Sequence, residues 1–226
     1  MNLMSRPETA AAPTGNERSG GEQRLLLHGI SWDEYVALGE ILKDRPGLRM
    51  TYDRGNLEFM TTSTEHERFK KRLARLIELL VEEFGLTFET AGNMTFRRED
   101  LDRGLEPDDC FWIAHERQMR TCEQWDPTRD PPPDLVLEIE ISRTALSRMP
   151  MYAALGVPEV WRSDGSQLRV YLLQQDGSYQ PSETSPTFPG IPIAEIIAFP
   201  QPNETLDFLS MVRTFREWVR QHLPKP

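Results

Sequence analysis

PPPDLVLEIEIS, residues 131–142, is an apolar run introduced by three prolines and interrupted by two glutamates. Successive side chains of a strand point to opposite faces. Leu135, Leu137, Ile139 and Ile141 therefore point one way, and Asp134, Val136, Glu138, Glu140 and Ser142 the other. Two glutamates on one face of so apolar a strand are costly to bury unless something compensates their charge. A divalent cation is a natural compensator, because Mg²⁺ takes a few carboxylate oxygens and keeps several waters. Upstream, EPDDCFWIA, residues 106–114, is a second short apolar run with Asp108 near its start. From a neighbouring strand, Asp108 would complete a hydrolytic site with Glu138 and Glu140.

Around these two strands the pattern is that of an α/β layer with a mixed sheet flanked by helices. Residues 1–23 are polar and rich in small residues and are expected to be disordered. The spacing predicts a helix over 31–44, with Ser31 as N-cap and Glu34 completing a capping box, stopped by Pro46 and Gly47. LRMTYD and NLEFM flank Arg54-Gly55 as a hairpin. Phe69, Leu73, Leu76, Ile77, Leu80 and Phe84 form the stripe of a long helix, with Thr64 as its cap and Gly85 as its end. LTFETAG and NMTFRR read as strands, and REDLDRGLE and the segment from His115 to Pro133 as loops. A short helix with Pro150 in or near its first turn, a strand at VPEVWRSDG and a hairpin around Asp176-Gly177 follow. The core domain is placed at 24–203. Residues 204–226 form an amphipathic helix with Leu206, Leu209, Val212, Phe215, Trp218 and Val219 on one side, packed on the domain or at a dimer interface.

The chain has 226 residues and a formal net charge of −10. That charge argues against coating nucleic acid non-specifically, which needs many Lys and Arg contacts to phosphate. It leaves room for a nucleic-acid enzyme with a local basic patch. No run is long enough to span a membrane, and the first residues lack the apolar core of a secretory signal. Cys110 and Cys122 have no zinc-ligand spacing, so reduced thiols in a cytoplasm are expected.

Phosphodiester hydrolysis needs an activated water, a Lewis acid at a non-bridging oxygen and charge neutralisation as the bond breaks. Asp108 and Glu138 would hold Mg²⁺, or Mn²⁺ in its place, with the backbone carbonyl of Ile139 as a further ligand. Glu140 would hold a second ion or accept the proton from water. Arg148, on the next helix, would stabilise the developing charge.

A long helix with Glu near its start, then Pro-Asp on one strand and Asp-x-x-x-Glu-x-Glu on the next, resembles the PD-(D/E)XK nuclease superfamily. DLVLEIEIS followed by MPMYAALGVPEVWRSDG is similar, more narrowly, to the Uma-type family of bacterial restriction endonucleases. In that family a PDLVVEV-like strand precedes a Lys-x-x-x-Tyr helix and a Gly-Val-x-Glu-Tyr-Trp segment, which here is Gly156 to Trp161. The resemblance covers roughly residues 30–200. It implies a restriction-endonuclease-like core acting on DNA, with Asp108 and Glu138 as metal ligands. It also implies a helix-start acid at Glu65 or Glu67 and a helix tyrosine at Tyr152. The chain departs from the pattern at Arg148, where the family carries Lys, and at Glu140, which occupies the lysine position of the strand motif. Arg keeps the charge but cannot serve as a base.

The leading expectation is a Mg²⁺-dependent DNA endonuclease that works as a homodimer. The alternative is a nuclease-fold protein with weak or lost catalysis that acts as a binding or regulatory module. His66 reads as a surface or capping histidine, and Tyr152 and Trp161 as core. The basic run Arg68, Lys70, Lys71, Arg72 and Arg75 is either a solvated helix face or a patch that tracks phosphates.

Overall fold

A computed structural model describes residues 22–201 and 207–223, apart from positions 46, 93 and 143. Positions 1–21 of the expected tail, Pro46 and Leu206 lie outside the described residues. In chain order the elements are β1 (Gln23–His28), α1 (Trp32–Leu42), β2 (Leu48–Asp53), β3 (Asn56–Thr61), α2 (Thr64–Glu83) and β4 (Glu89–Thr90). Next come β5 (Phe96–Arg98), β6 (Arg103–Leu105), β7 (Asp109–Trp112), α3 (Glu116–Met119) and β8 (Leu135–Ile139). The last are α4 (Met149–Leu155), β9 (Glu159–Ser163), β10 (Leu168–Leu173), β11 (Tyr179–Ser182) and α5 (Phe208–His222). One sheet has the order β1-β3-β2-β6-β5, and the other β11-β10-β9-β8-β7-β4. Among the described residues only the β8–β9 pair is parallel, which makes the α/β arrangement mixed.

β8 is the strand that the sequence singled out. It pairs with β7 on one edge and β9 on the other, and every residue from Leu135 to Ile139 is buried. Its alternation is resolved by two cores, one on each face. Leu135, Leu137 and Ile139 pack with Leu73, Ile77 and Phe215. Val136 packs with Cys110, Trp112 and Tyr152. The β8-to-β9 connection carries α4, with Pro150 in its first turn, where a missing N–H costs nothing. α4 ends at Gly156, whose φ of +79° only glycine adopts freely. Val157 then donates back to the Tyr152 carbonyl at 3.1 Å, and the chain turns into β9.

Local chemistry explains the other elements. Ser31 and Glu34 form the expected capping box of α1. Arg54 and Gly55 both have positive φ, as the tightest hairpin turns require. α2 is capped by Ser63, one residue before Thr64, and its hydroxyl accepts from the His66 N–H. The REDLDRGLE segment is not all loop, because it contains a 3-10 turn and β6. Gly104 makes β6 possible there: a Cβ on it would lie 2.2 Å from the Tyr35 hydroxyl oxygen. β1, unexpected from the sequence, lies antiparallel to β3 at the sheet edge. α5 packs against α2, with Met211, Phe215 and Val219 buried and Leu209 turned out to solvent. Most of the apolar face that suggested a dimer surface is thus covered within one chain.

Candidate active site

Asp109 lies opposite Leu137 in the β7–β8 ladder, so the next step of the register sets Asp108 opposite Glu138. Asp108 is fully buried. Its Oδ2 accepts from the Ile139 N–H at 2.7 Å. Its Oδ1 accepts from His66 Nε2 at 2.9 Å and lies 2.8 Å from the Arg49 guanidinium. On the other side of His66, Nδ1 meets Glu22 Oε1 at 2.5 Å. Glu22 also accepts from the Ser142 backbone and hydroxyl. α2, β2, β7, β8 and the residue before β1 therefore converge on one buried carboxylate.

Glu138 is also buried. One oxygen accepts from Arg148 at 2.8 Å, and the other from the Tyr152 hydroxyl. Arg148 precedes α4 and Tyr152 lies within it, so the β8-to-β9 connection places both over the strand. Glu138, Ile139, Glu140 and Arg148 line a cavity of about 340 Å³ together with Arg24 and Arg162. Glu140 pairs there with Arg162. Glu67 stands apart: it is half-exposed, 2.8 Å from Lys70, and reaches the site only through Arg49 at 3.7 Å.

Burial would push the Asp108 carboxyl up, but the His66 hydrogen bond and the Arg49 charge outweigh it and hold it at about 2. Burial also pushes Glu138 up, and here the Arg148 charge does not fully offset it. For His66, burial favours the neutral ring, yet the hydrogen bonds to Asp108 and Glu22 raise it to about 9. The ring is thus an imidazolium that donates through both nitrogens.

This sets the sign of a pH effect. A group with a raised folded pKa contributes stability that is complete below its unfolded value and lost as pH rises through its folded value. At ~1.4 kcal/mol per unit, the parent should lose on the order of 2–3 kcal/mol between about pH 6.5 and about 9.5. Urea midpoints read this directly. His66→Asn should flatten the profile, and a flat parent profile would rule out the imidazolium.

Three side chains that the site depends on were not legible from the motifs: His66, Arg49 and Glu22. For His66 a signal existed. It falls three and seven residues before Phe69 and Leu73, on the buried stripe of α2. Arg49 and Glu22 carry no comparable pattern.

The acids present can be set against a divalent ion. The donors are of the right kind for Mg²⁺, namely two carboxylates on adjacent strands and a strand carbonyl. A carboxylate offers about four lone-pair sites, and the partners named above leave some of them open on both Asp108 and Glu138. No cluster of three His, Cys, Asp or Glu able to hold an ion occurs among the described residues. With two carboxylates and one carbonyl as donors, Mg²⁺ would keep several waters. On these grounds the residues fit the ion.

A family model, Uma2, described as "Putative restriction endonuclease", matches residues 32–199. Among solved structures, the chain is similar to a putative nuclease belonging to DUF820 from Anabaena variabilis. The TM-score is 0.40 at 13% identity, over 74% of this chain and 90% of that one. No curated protein matches the chain. No helix among the described residues is long and apolar enough to cross a membrane.

Proposed function

The chain belongs to the Uma2 family of putative restriction endonucleases, and from that premise we propose that it hydrolyses DNA phosphodiester bonds in a Mg²⁺-dependent reaction. The observation that carries this reading is the pair of buried carboxylates, Asp108 just before β7 and Glu138 on the adjacent β8, of which Glu138 lines a cavity with Arg24, Arg148 and Arg162. Asp108, Glu138 and the Ile139 carbonyl would hold Mg²⁺ or Mn²⁺. An ion held there would supply Lewis-acid chemistry. Arg148 supplies fixed positive charge for the phosphate as the bond breaks. It stays protonated at any working pH, so the proton from water must go elsewhere. Glu140, on the same cavity, is the acceptor we assign. Tyr152 holds the Glu138 carboxylate in place.

A second reading rests on one observation. Both oxygens of Glu138 already have partners, Arg148 and Tyr152. If that pairing does not open, the protein is a nuclease-fold binding or regulatory module with weak or no catalysis. Two measurements separate the readings. Mg²⁺ at 100 times its dissociation constant should stabilise the parent by about 2.7 kcal/mol, and Glu138→Gln should not respond. Plasmid cleavage with Mg²⁺ or Mn²⁺ should accompany the shift. If neither the melting temperature nor the plasmid responds to metal, the second reading stands.

A further inference from the structure

The basic run of α2 has no part in the site as described so far. Its five cations have separate surroundings. Lys70 pairs with Glu67. Arg75 pairs with Glu78 and Glu82, both at 2.9 Å. Arg72 donates to the carbonyls of Pro200 and Gln201 at 3.1 and 3.3 Å. Arg68 and Lys71 are both exposed, but only Arg68 lines a groove, one of about 970 Å³.

That groove adjoins the catalytic cavity. Arg24, Ile139 and Glu140 line the cavity, and their chain neighbours Gln23 and Ile141 line the groove. A smaller cavity of about 260 Å³ shares Glu140 and Arg162 with the first and Asp164 with the second. The groove wall beyond α2 is tied down, because Gln201 Nε2 donates to the Gly165 carbonyl at 2.7 Å. Asp164, an acid on that wall, accepts from the Ser166 N–H and hydroxyl and the Gln167 N–H, all at 2.8 Å. Its charge is thereby tied into its own turn. Glu65, also lining the groove, lies one helical turn before Arg68. The hydroxyls of Thr61 and Thr64 lie at the near end of α2.

We propose that this groove seats the sugar-phosphate backbone of the DNA strand that leaves the site, with Arg68 as its principal phosphate contact. The proposal rests on the nuclease reading. Arginine and hydroxyl groups supply most contacts to DNA phosphates, and these contacts set register rather than sequence. A chain of net charge −10 has to concentrate such contacts locally. Arg68, exposed and one groove away from Arg148, is placed to do so.

The test is fluorescence anisotropy of a labelled single-stranded DNA, without added Mg²⁺, over a series of salt concentrations. Parent, Arg68→Ala and Lys71→Ala are compared, with melting temperatures to verify folding. Arg68→Ala should weaken binding roughly three- to tenfold and reduce the slope of log K against log salt by about 0.7. Lys71→Ala, on the same helix but outside the groove, should match the parent. Equal losses at both positions, or an unchanged slope for Arg68→Ala, overturn the groove. If the parent also cleaves plasmid with Mg²⁺, that result removes the groove and leaves the nuclease reading intact. If the parent neither binds nor cleaves DNA, both fall together.

Discussion

Asp108→Ala should lower the unfolding free energy by about 3–5 kcal/mol and abolish metal-dependent cleavage. Asp108 is fully buried and serves the Arg49 and His66 cations and one backbone N–H. Removing it takes from Arg49, itself only 4% exposed, its nearest carboxylate and leaves Glu67 at 3.7 Å, while His66 keeps Glu22. Taking one partner from a buried pair costs far more than the pair contributes net, because the remaining buried charge loses its closest compensation. Asp108→Asn separates the roles. It keeps the shape and an oxygen that can accept, and removes the charge. Cleavage should be lost in both variants, with the stability loss smaller in Asn. Urea unfolding at neutral pH and plasmid cleavage give the two readouts. A stability within about 0.5 kcal/mol of the parent would mean that Arg49 and His66 have adequate alternatives.

Arg148→Ala should cost about 3–5 kcal/mol at neutral pH and reduce cleavage by a factor of about 10²–10³. The stability term comes from Glu138, which would lose its cationic partner while still buried against Tyr152. Burial already raises the Glu138 carboxyl, and without Arg148 it rises further. For an acid with a raised folded pKa the penalty is absent below its unfolded value and grows as pH rises through its folded value. The gap between parent and variant should therefore narrow toward about pH 4 and widen as pH rises from there. A gap that does not change with pH would mean that Glu138 is not the group left exposed to the cost. Arg148→Lys keeps the charge and restores the residue common in the family, so it should retain most of the stability.

Much of this fold was legible because its signals are local. The capping box at Ser31 and Glu34, the Arg54-Gly55 hairpin, the α2 stripe and the Gly156 stop each rest on chemistry within a few residues. Local signals failed where partners were remote. β6 carries no local strand signal, because its three residues gain strand form from β2 and β5 and from the space Tyr35 leaves over Gly104. β1 was missed because its pairing lies with β3 across the α1 and β2 stretch. On α5 the stripe was displaced. Met211 is buried and Leu209 is not, because the position of α2 decides which side of the helix is covered.

By itself, the order of residues determined that β8 carries Leu135, Leu137 and Ile139 to one face and Glu138 to the other, and that Asp108 stands at the start of a neighbouring strand. Strand periodicity makes that unavoidable once 135–139 is extended. Tertiary structure alone decided what those carboxylates meet. Charge compensation depends on distance, and distance depends on packing. The fold brings Arg49 and His66 to Asp108, Arg148 and Tyr152 to Glu138, and Arg162 to Glu140. Several of these partners lie tens of positions away along the chain. No period or motif links Arg49, His66 or Arg162 to the acids they meet, and the packing of the sheets against α2 and α4 brings them within hydrogen-bonding reach.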